Sequence, residues 1–211
     1  MRATRIYLIR HGQVANHHEY RYNGHFDVDI TSTGVEQMHR VCEFLSSQEI
    51  GAVYSSDLQR TVKGARIIGK RLGVEPVMVR SLRELNLGRW EGLTRAEAVA
   101  KYPDDAHFSF QDLATGRIKE GESLLELRAR VIPALEEILA RHANKSVCVV
   151  AHGGVNRVVL SEAMSLPLEN FFRIEQDYGC LNIIDYLEDG MKVVKLLNGG
   201  PNQDMRPTEI Y

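Results

Sequence analysis

Short apolar runs alternate with longer amphipathic segments along this chain, and the alternation is its strongest structural signal. Runs rich in β-branched and aliphatic residues predict strands at 4–10, 52–55, 76–80, 146–151, 181–187 and 192–197. Apolar positions at helical spacing predict helices that begin near Thr31, after Ser56 or Asp57, after Thr94, at about Ser123 and after Gly153. Ser56 or Asp57 is expected to cap the second helix. Strands that alternate with helices indicate an α/β domain with a mainly parallel sheet.

Length and composition narrow the class of protein. The 211 residues, 44% of them hydrophobic, are enough for one core, so we expect a single domain over 1–211 with a loosely held tail at 199–211. The 26 basic and 28 acidic residues give a formal net charge of −2, which argues against a nucleic-acid binder. No apolar run is long enough for a membrane span, and the N-terminus does not have the pattern of a signal peptide.

The cysteines add information about the compartment. Cys42, Cys148 and Cys180 are scattered and odd in number, which suits free thiols better than a disulfide framework. The sequence therefore predicts a cytoplasmic protein without a membrane or nucleic-acid partner, and it does not indicate an oligomeric state.

Three of the predicted strands end in residues with unusual chemistry. These ends are Arg10-His11-Gly12, Ser55-Ser56-Asp57 with Arg60 soon after, and His152-Gly153-Gly154. Glu84 follows the strand expected at 76–80 by a few residues. Because the carboxyl ends of parallel strands meet at one edge of a sheet, we expect these side chains to lie together there.

Together these side chains have the chemistry of an anion pocket. Arg10 and Arg60 offer planar forks that match phosphate oxygens, and the helix after His152 presents unpaired N–H groups. A neutral imidazole such as that of His11 attacks phosphorus to form a phosphohistidine, and neighbouring arginines disfavour its protonated form. Glu84 is suited to protonate the leaving alkoxide. Because the protein supplies the positive charge, no metal ion or cofactor is expected.

Six short motifs run in order along nearly the whole chain. They are Leu8-Ile-Arg10-His11-Gly12, Thr31-x-x-Gly34-x-x-Gln37, Tyr54-Ser-Ser-Asp-Leu-x-Arg60-Thr61, Glu84 with Gly88-x-Trp90-Glu-Gly92, Gly121-Glu-Ser123 and Val150-Ala-His152-Gly-Gly154. Together they resemble the histidine phosphatase (phosphoglycerate mutase-like) superfamily. The resemblance implies a three-layer α/β/α fold around a mainly parallel central sheet.

The resemblance also implies residue roles. It implies His11 as the phosphorylated nucleophile, Glu84 as the acid and base, and phosphate binding by Arg10, Arg60 and His152. It implies substrate contacts for Asn16, Asn23, Gly24 and Gly153. The early loop departs from the family pattern, because Val14 stands where many members carry Thr or Ser and Asn16 lies one place earlier than usual.

The segment after Glu84 indicates the branch of the family. It lacks the Arg-His-Tyr-Gly motif of phosphoglycerate mutases, and the chain is short for a mutase. The sequence therefore resembles the phosphatase branch, particularly α-ribazole-5′-phosphate phosphatases and broad phosphomonoesterases, and predicts metal-independent hydrolysis of a small phosphomonoester. The alternatives are a mutase-type phosphotransferase, a protein phosphohistidine phosphatase and a non-catalytic phosphate-binding module; the presence of His11 and Glu84 counts against the last.

Other phosphatase chemistries fit the sequence less well. The segment Asp27-Val-Asp29-Ile-Thr31 matches the nucleophile motif of haloacid-dehalogenase-type enzymes, but it follows a polar loop instead of a hydrophobic strand. No cysteine begins a Cys-x5-Arg motif, which excludes the cysteine-based class. His17, His18 and His25 lack the spacing of a metal site.

Two segments, 13–26 and 103–122, are expected to cover the pocket. Their aromatic side chains either cover a nucleoside-like or sugar-like group or pack the loops against the body: Tyr20, Tyr22, His25, Phe108 and Phe110. Glu122 and Ser123 either border the pocket or cap the helix that begins there.

Overall fold

The computed structural model describes residues 3–202, and all the named strands among them lie in one sheet. The strands are β1 (Ala3–Arg10), β2 (Ala52–Ser55), β3 (Val77–Met78), β4 (Ser146–Ala151), β5 (Leu181–Leu187) and β6 (Lys192–Gly199). Their order across the sheet is β3-β2-β4-β1-β5-β6. The first four strands are parallel to one another, whereas β5 runs antiparallel to β1, and β6 runs antiparallel to β5. The mainly parallel sheet is confirmed.

Helices cover both faces of the sheet. They are α1 (Ser32–Leu45), α2 (Gln59–Leu72), α3 (Arg95–Lys101), α4 (Leu124–Arg141) and α5 (Gly153–Met164). Ile6 and Leu8 of β1 pack into the cluster with α4 and α5, and Tyr7 and Ile9 pack into the cluster with α1 and α2. Because both faces of β1 are buried, its apolar residues are consecutive instead of alternating. The three-layer α/β/α architecture is confirmed.

Two local predictions are wrong. The strand expected at 76–80 has only Val77 and Met78, which are 48% and 39% exposed at the edge of the sheet, because a 3-10 turn begins at Arg80. Neither Ser56 nor Asp57 caps α2, whose N-cap is Leu58 without a side-chain hydrogen bond. The Asp57 carboxylate instead receives two hydrogen bonds from Arg83, and the Ser56 hydroxyl is used within the site described below.

The start of α1 fixes the chain that follows β1. A Cβ on Gly12 would lie 2.3 Å from the carbonyl oxygen of Gly34, and one on Gly34 would lie 2.4 Å from that of Gln13. The Thr31 hydroxyl accepts from the N–H of Gly34 and donates to Oε1 of Gln13, while Gln37 Oε1 accepts from the N–H of Gln13. This close crossing holds the backbone on either side of residue 12 and so positions the end of β1.

The chain after β6 is described as far as residue 202. Gly199 is the last residue of β6, and the Asn202 amide donates to the carbonyl oxygens of Gln37 and Gly179. The rest of the expected tail, 203–211, lies outside the described residues, and the single domain over 1–211 stays a prediction. The three cysteines are buried free thiols. None of the helices within 3–202 combines the length and apolarity that crossing a membrane needs.

Candidate active site

His11 lies at the carboxyl end of β1, is 5% exposed, and has its Nδ1 2.8 Å from the carbonyl oxygen of Gly12. A carbonyl oxygen only accepts hydrogen bonds, so Nδ1 carries the ring proton and Nε2 keeps its lone pair. Burial, together with the charges of Arg60 and Arg10, holds the pKa of His11 well below its ordinary value. The ring is therefore neutral and has a nucleophilic nitrogen.

His152 is the N-cap residue of α5 and is fully buried 5.3 Å from His11, measured between ring centroids. Arg60 Nε donates to its Nδ1 at 3.2 Å, and its Nε2 lies 2.8 Å from the Ser56 hydroxyl. Because a guanidinium only donates, Nε2 carries the ring proton, so the two histidines are opposite tautomers. Burial and the charge of Arg60 hold the pKa of His152 well below its ordinary value. A hydrogen bond from His152 to phosphate would require Nε2–H to leave Ser56, or Nδ1 to gain a proton and release Arg60, so phosphate binding by His152 stays a prediction.

Arg10 is the last residue of β1, and its guanidinium is only partly hydrogen-bonded within the described part of the chain. Its Nη1 donates to the carbonyl oxygen of Gln176, and its guanidinium carbon lies 4.0 Å from the ring centroid of Tyr178. Its Nε is buried and makes no hydrogen bond within residues 3–202, and it lies 3.5 Å from where a Cβ on Gly153 would be. Buried donors are almost always paired, so an oxyanion at this end of α5 is the natural partner.

Arg60, on α2, is 1% exposed and holds the loop 23–26. It donates to three carbonyl oxygens of that loop at distances of 2.6 to 2.9 Å. The Glu91 carboxylate holds the same loop, because it accepts hydrogen bonds from two backbone N–H groups of the loop at 2.6 and 2.8 Å. Burial raises the pKa of Glu91 in spite of these contacts. The guanidinium of Arg60 is thus fixed against the loop and against His152, with one N–H of Nη1 left for a ligand.

The residues expected to contact substrate from this loop are engaged with the protein. Asn16 and Asn23 form a reciprocal amide pair with distances of 2.8 and 2.7 Å, so their contact with phosphate stays a prediction. Gly24 is buried, and a Cβ there would lie 2.1 Å from the Leu85 carbonyl oxygen and 2.3 Å from Oε1 of Glu91. A side chain at position 24 would therefore point into the protein, and the close packing there requires glycine.

Glu84 lies against the first turn of α5. Its two carboxyl oxygens accept from the N–H of Gly154 at 2.9 Å and from that of Leu85 at 2.8 Å. A Cβ on Gly154 would lie 2.2 Å from Oε1 of Glu84, so glycine at this position gives the carboxyl its place. Glu84 therefore sits at the same helix end as the unpaired Nε of Arg10.

Arg130, on α4, fixes the segment that carries Glu84. Its two terminal nitrogens donate to three carbonyl oxygens of the segment 81–84 at distances of 2.7 to 2.9 Å. Its remaining N–H groups go to the Glu122 carboxylate, which also accepts from the N–H of Asn86 at 2.8 Å. All five guanidinium donors are used, so the position of Glu84 is fixed from a neighbouring helix. Glu122 accordingly supports Glu84 through Arg130 and is not a cap.

Ser123 is the cap of α4. Its hydroxyl accepts from the N–H of Glu126 at 3.2 Å, and the Glu126 carboxylate accepts from the N–H of Ser123 at 2.8 Å. This reciprocal pair is a capping box, and of the two alternatives for Ser123 the structure shows capping.

The aromatic residues of the covering loops are partly packed on the body. Ring centroids of Tyr22 and Phe108 lie 5.2 and 6.0 Å from that of Trp90, which is fully buried. Tyr20 is 61% exposed, and the side chain of Phe110 lies outside the described residues. For Tyr22 and Phe108 the structure therefore shows packing.

The competing motifs have structural roles. Asp29 pairs with Lys63 at 2.8 Å, and Thr31 is the N-cap of α1. His17 has its Nδ1 3.0 Å from the carbonyl oxygen of Val14. Within residues 3–202, no three His, Cys, Asp or Glu side chains are grouped so as to hold a metal ion.

Several residues that shape the site were missed by sequence reasoning. They are Glu91, Arg130, Gln176 and Tyr178. Glu91 lies inside a family motif, so its position was a usable signal. Ser56 was expected at this edge of the sheet, but its hydrogen bond to His152 was not. Gln176 and Tyr178 lie in a loop without a recognisable pattern and reach Arg10 only because β5 pairs with β1.

Comparison with known proteins gives consistent matches. The sequence matches the histidine phosphatase superfamily (branch 1) over residues 6–199. It is 31% identical over 179 residues to glucosyl-3-phosphoglycerate phosphatase of Mycolicibacterium vanbaalenii, covering 81% of this chain and 79% of the relative. It is 28% identical over 195 residues to phosphoserine phosphatase 1 of Hydrogenobacter thermophilus, covering 92% of each. The α-ribazole phosphatase of Shigella flexneri superposes with a TM-score of 0.85 over 92% of this chain and 96% of that one; its 22% identity shows the fold alone.

The two buried neutral histidines should make the fold sensitive to acid. The pKa of His11 and of His152 lies below the value of about 6.5 for an unfolded histidine, so below that pH the unfolded chain binds more protons and stability falls. Each such histidine adds up to about 1.4 kcal/mol per pH unit to the slope of the unfolding free energy against pH. We expect the free energy of unfolding to fall less steeply in His11→Ala than in the wild type, when measured by denaturant titration between about pH 6.5 and 5.5.

The matched control for this measurement is His18→Ala, because His18 is exposed. It should keep the wild-type slope. Equal slopes in His11→Ala and the wild type would show that burial does not keep His11 neutral.

Proposed function

This chain belongs to the histidine phosphatase superfamily, and we propose that it hydrolyses small phosphomonoesters through a phosphorylated His11. The phosphatase branch expected from the sequence is confirmed by its named relatives. The observation that carries the proposed mechanism is the unpaired, buried Nε of Arg10, beside a neutral His11 at the N-terminus of α5.

In the proposed complex, the phosphate occupies the space between three groups of donors. Its oxygens meet Nε of Arg10, the remaining Nη1 N–H of Arg60 and the N-terminal backbone of α5 at Gly153. These donors are already fixed by the protein, so they stabilise charge on the transferring phosphoryl group without reorganising.

The first chemical step forms a bond between Nε2 of His11 and phosphorus and breaks the bond from phosphorus to the ester oxygen. Glu84, protonated beforehand, gives its proton to the leaving oxygen, and the alcohol departs. The hydrogen bond from Nδ1 to the Gly12 carbonyl oxygen stabilises the ring while it carries the phosphoryl group. Water then attacks phosphorus, Glu84 takes a proton from it, and the bond from phosphorus to Nε2 breaks, so inorganic phosphate leaves and His11 regains its lone pair.

The substrate is proposed to be a small phosphorylated metabolite. The relatives named above act on glucosyl-3-phosphoglycerate and on phosphoserine, which belong to this chemical class. The cytoplasmic location and the absence of a nucleic-acid or membrane partner, both expected from the sequence, stay predictions.

The nucleophile is tested by phosphate release from p-nitrophenyl phosphate and a panel of metabolite phosphomonoesters in excess EDTA. The wild type should keep its rate in EDTA, because the arginines supply the positive charge. His11→Ala should lose at least about a thousandfold in kcat, because the phosphoryl acceptor is gone. His18→Ala should keep the wild-type rate. A His11→Ala enzyme with wild-type turnover, or a wild type restored only by magnesium, would refute the mechanism.

The acid is tested by how the loss in Glu84→Gln depends on the leaving group. An alkyl phosphate needs a proton on its leaving oxygen, and p-nitrophenyl phosphate does not. We therefore expect kcat/KM to fall by about 10²–10⁴-fold for the alkyl ester and by much less for the aryl ester. Glu75→Gln, on an exposed loop, should change neither. Equal losses on the two esters would remove Glu84 from this role.

A further inference from the structure

A third arginine, Arg157, lies beside the candidate phosphate site without a part in the mechanism above. It is on α5, four residues after Gly153, so it lies on the same face of the helix about one turn further on. Its Nη1 is 3.2 Å from where a Cβ on Gly153 would be, and Nε of Arg10 is 3.5 Å from the same point. The two guanidinium groups therefore converge on the end of the helix at which the phosphate is proposed to bind.

The Arg157 side chain is held in a fixed position. Its Nε donates to the carbonyl oxygen of Ile174 at 2.6 Å, and its Nη2 lies 3.8 Å from Oε1 of Glu175. Its guanidinium carbon lies 5.6 and 5.9 Å from the ring centroids of Phe171 and Phe172. These contacts use one edge and one face of the guanidinium, so little conformational entropy is lost when a ligand binds the rest.

Among the described residues, none places an acceptor on the edge of Arg157 that faces Gly153. Within residues 3–202, its Nη1 donates no hydrogen bond, and the side chain keeps 17% of its surface exposed. Burial and the charge of Arg10 lower the pKa of Arg157. Two like charges so close together are costly in the free protein, and the cost is relieved when anions lie between or beside them.

One phosphate does not use all of these donors. The phosphoryl oxygens are matched by Arg10, Arg60 and the end of α5, which leaves the Nη1 edge of Arg157, at the same end of the helix, for another acceptor. A guanidinium with a free edge binds a planar carboxylate through two parallel hydrogen bonds. We propose that Arg157 binds a carboxylate that the substrate carries next to its phosphate. The inference rests on the proposed function and defines its substrate class as phosphorylated carboxylic acids.

The test compares two esters that differ at one group. 3-Phosphoglycerate carries a carboxylate where glycerol 3-phosphate carries a hydroxymethyl group, and the two share the same type of leaving oxygen. We expect the ratio of kcat/KM for 3-phosphoglycerate to that for glycerol 3-phosphate to fall at least about tenfold in Arg157→Gln. The change should be in KM for the carboxylate, because the contact is made equally in the ground state and the transition state.

Arg173→Gln is the matched control, because Arg173 is an exposed arginine on the turn that packs against α5. It should keep the wild-type ratio. Arg157→Lys should have a ratio of the two kcat/KM values between those of Arg157→Gln and the wild type. Lysine keeps the positive charge but lacks the two parallel donors of the guanidinium.

An unchanged ratio in Arg157→Gln would overturn the inference. So would an equal loss on both esters, because it would place Arg157 on the phosphate or in the structure alone. A wild type that hydrolyses neither ester but turns over p-nitrophenyl phosphate would overturn the substrate class and leave the proposed mechanism standing. A wild type inactive on all three would refute the proposed function itself.

Discussion

Two arginine side chains are held at the edge of the sheet mainly by backbone carbonyl oxygens and not by paired carboxylates. Arg10 donates to the carbonyl of Gln176, and Arg60 donates to three carbonyls of the loop 23–26. A carbonyl fixes the direction of a guanidinium but does not neutralise its charge, so the positive potential remains available to a ligand. That potential, added to burial, keeps His11 unprotonated. The proposed nucleophile and the groups proposed to bind phosphate thus depend on the same arginine charges.

The surrounding structure serves to keep this charge in place. Glu91 holds the amides of the loop whose carbonyls hold Arg60, and Tyr178 stacks on Arg10. Arg130 fixes Glu84, the proposed acid, because it ties the segment 81–84 to α4. A site that is fixed before the substrate arrives stabilises the transition state without reorganisation, which is the main electrostatic contribution to phosphoryl transfer.

The sequence predicted the parts of the molecule that follow local rules. The apolar runs placed most strands, and the chemistry at the ends of β1, β2 and β4 indicated one common edge, because parallel strands point the same way. The helix cap at Ser56 was wrong because its hydroxyl is used by His152, a residue that is distant in sequence. The Asn16–Asn23 pair and the stacking of Tyr178 on Arg10 depend on how loops meet in space. The spacing of residues along the chain does not predict such contacts between loops.

The most direct measurement is to trap the intermediate itself. The wild type is mixed with a radiolabelled phosphomonoester, quenched during turnover with alkali, digested and mapped. The mechanism predicts label on the peptide that contains His11, stable in alkali and lost in acid as a phosphorus–nitrogen bond requires. Label on another residue, or an acid-stable phosphoester, would contradict the assignment of His11 as the nucleophile.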